Sequence, residues 1–172
     1  ACTRSFGHPV LELDGLLQAV SEFASRAGEK LRAQSSRAAQ VTVFIQTSPF
    51  RQQDRQYANS ITVPLVRPSS DTMTLVNAAI RGVTAIFKPG YRYAKAGVML
   101  LDLIDGHVQQ GELDFGFEGQ SSDKLMAALD SINDRFGKGS IRVGSAGVQT
   151  KARDWEMKQL LRTPQYTTRW AD

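Results

Sequence analysis

Tyr91-Arg92-Tyr93-Ala94-Lys95-Ala96-Gly97-Val98-Met99-Leu100-Leu101 reads as a β-strand whose two faces differ in chemistry. Successive side chains of a strand point to opposite faces. Ala94, Ala96, Val98 and Leu100 therefore form one set, and Tyr93 and Lys95 belong to the other. The first set suits a core. The second suits something anionic and flat.

Outward from this stretch the chain alternates strands with amphipathic helices. Arg4-Ser5-Phe6-Gly7-His8 reads as a strand already under way close behind Ala1, so the chain is expected to be the C-terminal piece of a longer protein. Asp14 is placed to cap a helix running to about Gln34, with Leu16, Val20, Phe23, Ala27 and Leu31 on one stripe. Gln40 to Thr47 is β-branched with period two: Val41, Val43 and Ile45 share one face, and Thr42, Phe44 and Gln46 the other. Ser48 to Asn59 is a polar hairpin connection. Ser60 to Val66 alternates again, and Pro64 within it marks an edge strand, because proline cannot donate to the ladder. Ser69, Ser70 and Asp71 offer N-caps for a second helix that ends by Pro89-Gly90.

The order is thus β-α-β-β-α-β, an α+β fold. Because the second face of each strand stays polar, both helices are expected to cover one side of a four-stranded sheet, leaving the other open. Residues 105–120 lose periodicity and read as a linker. A third helix is expected from Ser122 to Phe136, stopped by Gly137, then a short strand at Ser140 to Val143, within a small, mostly helical C-terminal extension, residues 121–172. Gly137-Lys138-Gly139-Ser140 echoes a phosphate-binding loop but lacks the earlier glycine of a Walker motif, and reads as a turn.

Composition narrows the class. Of 172 residues, 41% are hydrophobic and 22% charged, ordinary for a soluble globular protein. No run approaches the roughly 18 apolar residues of a membrane span. The single cysteine, Cys2, forms no internal disulfide and fits a reducing, cytoplasmic setting. Residues 1–104 hold 12 Lys/Arg against 7 Asp/Glu, a net of +5, whereas residues 105–172 carry −1. The basic character belongs to the first part and points modestly to nucleic acid. No acid–base pair, nucleophile triad or metal-ligand spacing marks a separate active site; Asp102 and Asp105 read as loop acids.

Arg4-Ser5-Phe6-Gly7, Phe44-Ile45-Gln46-Thr47-Ser48-Pro49-Phe50, Tyr93 to Leu100 and the closing Thr163-Pro164-Gln165-Tyr166-Thr167-Thr168-Arg169-Trp170 resemble, in this order, the C-terminal part of UmuC-type Y-family translesion DNA polymerases, the family of the DNA polymerase V catalytic subunit. The resemblance spans nearly the whole chain. It implies a little-finger DNA-binding domain at residues 1–104, whose β-α-β-β-α-β order agrees with the periodicity, followed by a partner-binding extension. It implies error-prone bypass synthesis in SOS mutagenesis, with the magnesium-binding palm carboxylates of the parent polymerase upstream of Ala1. This part would then be non-catalytic and need no cofactor. The implied partners are primer-template DNA, a sliding clamp, a UmuD-type accessory protein and a RecA-type filament. A protein-interaction scaffold with little DNA affinity is the alternative.

On the open sheet face Arg4, Thr42, Gln46, Thr62, Tyr93 and Lys95 are expected near phosphates, with Ser5 and His8 extending the first strand. Cations, hydroxyls and amides bind phosphate oxygens without reading bases. The bland reading of these positions is a solvated face. Glu112-Leu113-Asp114-Phe115-Gly116-Phe117 sits where UmuC-type proteins carry a short clamp-binding motif, with Glu112 in place of its glutamine. Phe115 and Phe117 serve equally well to pin the linker. Trp155, Leu160 and Leu161 read as a mini-core with the third helix, and Tyr166 and Trp170 are left open between core and partner surface.

Overall fold

The computed structural model describes residues 1–106, 119–147 and 155–156. Strands and helices follow in the expected order: β1 (Cys2–Val10), α1 (Leu13–Ala33), β2 (Ser36–Thr47), β3 (Ala58–Ser69), α2 (Thr72–Ile86) and β4 (Tyr93–Asp105). Helix α3 (Gly119–Phe136) and a single 3-10 turn at Gly144–Ala146 come after them.

Helix α1 forms on its apolar stripe: Leu16, Val20, Phe23, Ala27 and Leu31 are all buried. Its N-cap is Glu12, not Asp14. Asp14 lies in the first turn, where a carboxylate favours the positive end of the helix dipole, and accepts a hydrogen bond from Gln18 Nε2 at 3.0 Å. Asp71 caps α2, accepting from the Thr74 backbone N–H at 2.7 Å.

The sheet runs β1-β4-β2-β3, antiparallel throughout. Strand β3, with Pro64, is an edge, where the missing N–H costs no ladder bond. Val41, Val43, Ile45, Ala96 and Val98 join Leu16, Val20 and Phe23 of α1 and Leu75, Val76 and Val83 of α2 in one core. Both helices therefore cover one face. The approach of α2 is close: a Cβ at Gly82 would stand 3.2 Å from Val43 Cγ2 and 3.3 Å from Ile61 Cγ2.

One irregularity changes the reading of β4. Gln46 lies opposite Lys95, yet Thr47 lies opposite Tyr93, so Ala94 is an extra, bulged residue. A bulge shifts the alternation by one. Tyr93 consequently shares the inner face with Thr47 and is fully buried, correcting its expected place on the open face. Its hydroxyl donates to Lys88 O at 2.9 Å and accepts from Lys88 N–H at 3.0 Å.

The stretch after α3 also differs from expectation. Residues 140–143 form no strand, and the chain bends at Ser140 and Ile141. The Asn133 side chain occupies the would-be pairing groups: Nδ2 donates to Ile141 O at 3.1 Å, and Oδ1 accepts from Ile141 N–H at 2.9 Å. Gly137-Lys138-Gly139-Ser140 is the expected turn, with Gly137 and Gly139 at positive φ.

Helix α3 is tied to the helical layer. Arg32 donates from Nε and Nη2 to both carboxylate oxygens of Asp130, at 2.6 and 2.7 Å, and from Nη1 to Ser70 O and Thr72 Oγ1. Trp155 packs edge-on against Phe23, ring centroids 5.9 Å apart, so it joins the main core and not a mini-core with α3. Gly7 N–H donates to Glu156 O at 3.1 Å, linking the same point to β1. Leu160, Leu161, Tyr166 and Trp170 lie outside the described residues.

Candidate nucleic-acid interface

The face of the sheet away from α1 and α2 is set by cross-strand pairing, since directly opposed residues share a face. Thr42 pairs with Thr62 and Met99, Phe44 with Ser60 and Gly97, and Gln46 with Ala58 and Lys95. On β1, Thr3 is opposite Gly97 and Ser5 opposite Lys95. Thr42, Gln46, Thr62 and Lys95 are thus brought together on the open side, as expected, and Ser5 joins them.

They are not equally available. Ser5 and Thr62 are exposed, and Gln46 and Lys95 half-buried. Thr42 is 7% exposed, and its hydroxyl shares a 2.8 Å hydrogen bond with that of Thr62. His8 is exposed but falls between Ser5 and Val10, where the β1–β4 register shifts, so pairing assigns it no face.

Arg4 is a correction. Its partner across the ladder is Ala96, which is fully buried under the helices, so Arg4 stands on the helical side. The strand parity of β1 is one residue out of step with the expectation, because its register is fixed by β4 and not by its own weak alternation. Tyr93 is the second correction, for the bulge described above.

At the centre of the open face the Phe44 ring lies over Gly97. A Cβ at that glycine would overlap Phe44 ring carbons and the Thr3 methyl. The arrangement gives the face a flat, partly apolar middle flanked by hydroxyls and one amide. Glu112, Leu113, Asp114, Phe115 and Phe117, the expected clamp-binding residues, lie outside the described residues.

The structure adds residues that the strand reading missed. The hairpin 48–57 and the turn 87–92 meet at the end of the sheet where Thr47 pairs with Tyr93. They carry Arg51, Arg55, Lys88 and Arg92 to that end of the sheet, with Asp54 the one carboxylate of these two segments. Asp54 pairs with Arg92 at 3.4 Å and more loosely with Arg51 at 4.0 Å. Arg55 sits over the Tyr91 ring at 5.3 Å and Lys88 over Tyr57 at 5.1 Å. Tyr57 and Tyr91 are 4.9 Å apart, and Tyr57 Oη donates to Ile86 O at 2.7 Å. The aromatic floor therefore seats Arg55 and Lys88, while Asp54 holds Arg92 and Arg51. The signal was present as Arg51-Gln52-Gln53-Asp54-Arg55 and Lys88-Pro89-Gly90-Tyr91-Arg92, but only the fold joins the two runs.

Among the described residues no group of three or more His, Cys, Asp or Glu stands close enough to hold a metal ion. None of their helices is long and apolar enough to cross a membrane. The site can hold anions by charge and hydrogen bonding.

Residues 1–113 match the impB/mucB/samB family C-terminal domain, and residues 123–172 match a domain of unknown function (DUF4113). The chain is 38% identical over 172 residues to Protein UmuC of Salmonella typhimurium, covering 99% of this chain and 40% of that protein. It is 41% identical to Protein SamB of Salmonella typhimurium, with the same coverage of both. Against Protein MucB of Escherichia coli the identity is 38% over 168 residues, 98% of this chain and 39% of the other. The chain spans about two fifths of the length of these relatives. It belongs to the impB/mucB/samB family C-terminal domain.

Proposed function

We propose that this member of the impB/mucB/samB family grips duplex DNA on the open face of its sheet, as the DNA-holding part of a Y-family translesion polymerase acting in SOS mutagenesis. One observation carries the reading. Lys95 stands on the open face opposite Ser5 and Gln46, near the sheet end from which the hairpin 48–57 and the turn 87–92 carry Arg51, Arg55, Lys88 and Arg92. Such a surface neutralises phosphates and offers no fixed base-reading pattern, which suits a polymerase that must accept any sequence. The contribution is positioning. In this reading the polymerase chemistry and its magnesium lie in a palm outside these residues, and the protein works in the cytoplasm.

The contacts assigned to DNA are Ser5, Gln46, Thr62 and Lys95 with the four rim cations, and His8 of β1 is proposed to extend them. Thr42 supports Thr62 from the neighbouring strand through the bond between their hydroxyls. Fluorescence anisotropy with an arbitrary duplex tests the face. Neutralising four to six phosphates gives a slope of log affinity against log salt of about −3.5 to −5.5. A slope near zero, or no binding at low salt, sinks the DNA reading and leaves the protein-interaction scaffold. Residues 112–117 are proposed as the sliding-clamp contact; a peptide of residues 108–119 that fails to bind the clamp at high micromolar concentration removes it. UmuD-type and RecA-type partners are assigned to the extension on the family resemblance alone, and loss of their co-purification on deleting residues 121–172 checks it.

A further inference from the structure

The helical side of the sheet holds a second concentration of charge, independent of the DNA reading. A cleft of about 190 Å³ lies between α1, the first residues of β1, α3 and the turn that follows it. Its walls carry six Lys/Arg and three Asp/Glu. Each carboxylate is already engaged. Asp130 holds Arg32, Glu29 meets Lys138 at 3.5 Å, and Glu22 is shared by Arg26 at 2.7 Å and Arg142 at 3.4 Å. Arg4 and Lys30 line the same walls. The recess is left with a surplus of three positive charges, on walls supplied by elements that pack for other reasons.

The turn is shaped around one of these cations. Arg142 Nε donates to Gly139 O at 2.9 Å, and the guanidinium lies where a Cβ at residue 139 would overlap it. Gly139 also has φ +89°, which other residues rarely adopt. The glycine is therefore required both for the bend and for the seat of Arg142. A planar guanidinium fixed at the wall of a basic recess matches the oxygens of a phosphate.

We propose that this cleft binds a phosphate-type oxyanion, with Arg4 and Lys30 as its principal ligands and Arg142 positioned by Gly139 as the third. A recess of this size admits an orthophosphate or pyrophosphate group. It lies across the sheet from Lys95, so the ligand is separate from a duplex on the open face. The group arrives either as a free anion or as the phosphate of a nucleic-acid strand.

Calorimetric titration of the chain with sodium pyrophosphate at low ionic strength, with sodium chloride as the reference, tests the site. One saturable site is expected, weakened at least tenfold in R4A/K30A and in G139A and unchanged in K95E. Far-UV circular dichroism and Tm establish that the variants are folded. A duplex titration with and without saturating pyrophosphate separates the sources: competition that R4A/K30A abolishes assigns the cleft to strand phosphate, and independence assigns it to the free anion. Absence of saturable binding, or binding undiminished in folded R4A/K30A, overturns the proposal.

Discussion

Tyr93 shows what one hydroxyl does when a bulge turns it inward. It is fully buried among Tyr57, Phe87 and Tyr91 and satisfies both polar groups of the Lys88 peptide backbone. Tyr93→Phe removes both bonds and leaves those groups without their partner, a loss of about 1–3 kcal/mol, readable as a lower urea midpoint. Duplex affinity should not change, because the side chain is not on the open face. Burial raises the phenol above its ordinary pKa of 10.0, the Lys88 bond opposes this, and the neighbouring tyrosines reinforce it. The sign follows from proton counting: above pH 10.0 the unfolded phenol loses its proton while the folded one keeps it. Stability from this group is therefore complete below pH 10.0 and falls as pH rises through the folded value. Tyr93→Phe should flatten that alkaline decline; a decline of unchanged steepness refutes the assignment.

At the scale of elements, α3 is fastened by a few polar bonds and little apolar area. Leu125 and Phe136 are exposed, whereas Met126 is buried and its Sδ accepts from Thr72 N–H at 3.4 Å. The Arg32 side chain is only 13% exposed, so its two bonds to Asp130 are partly shielded from water. Removing one partner leaves a poorly solvated charge behind, at a cost of about 2 kcal/mol. Arg32→Ala should therefore speed hydrogen exchange across residues 123–136 while the amides of β2 and β4 stay protected. Equal acceleration in the strands instead means that Arg32 supports the whole core. The sheet itself rests on buried Val41, Val43, Ile45 and Val98, each contributing about 1.5–3 kcal/mol through burial.

Across the whole molecule the charge is divided by the sheet. Lys95 lies on the open face and the rim cations at its end, while exposed Arg81 belongs to α2 on the covered side. Lys95→Glu and Arg81→Glu make the same change in net charge. Only the first should weaken duplex binding substantially and lower the salt slope, because separated surface charges are screened over about 8–10 Å. Equal losses would mean that net charge, and not a face, binds DNA. Much of this architecture was legible in one dimension. Periods of two and 3.6, Asp71 as a cap and Pro64 as an edge marker define the strands, the helices and the covered side, because local sterics and the burial of apolar stripes act over a few residues. Lys95, Thr62 and Gln46 on the open side follow from the same alternation. The inward turn of Tyr93, the helical side of Arg4, the rim of Arg51, Arg55, Lys88 and Arg92, and the cleft behind α1 do not. They depend on a single-residue bulge and on register between strands distant in the chain, and those are set only when the ladders and the core close together.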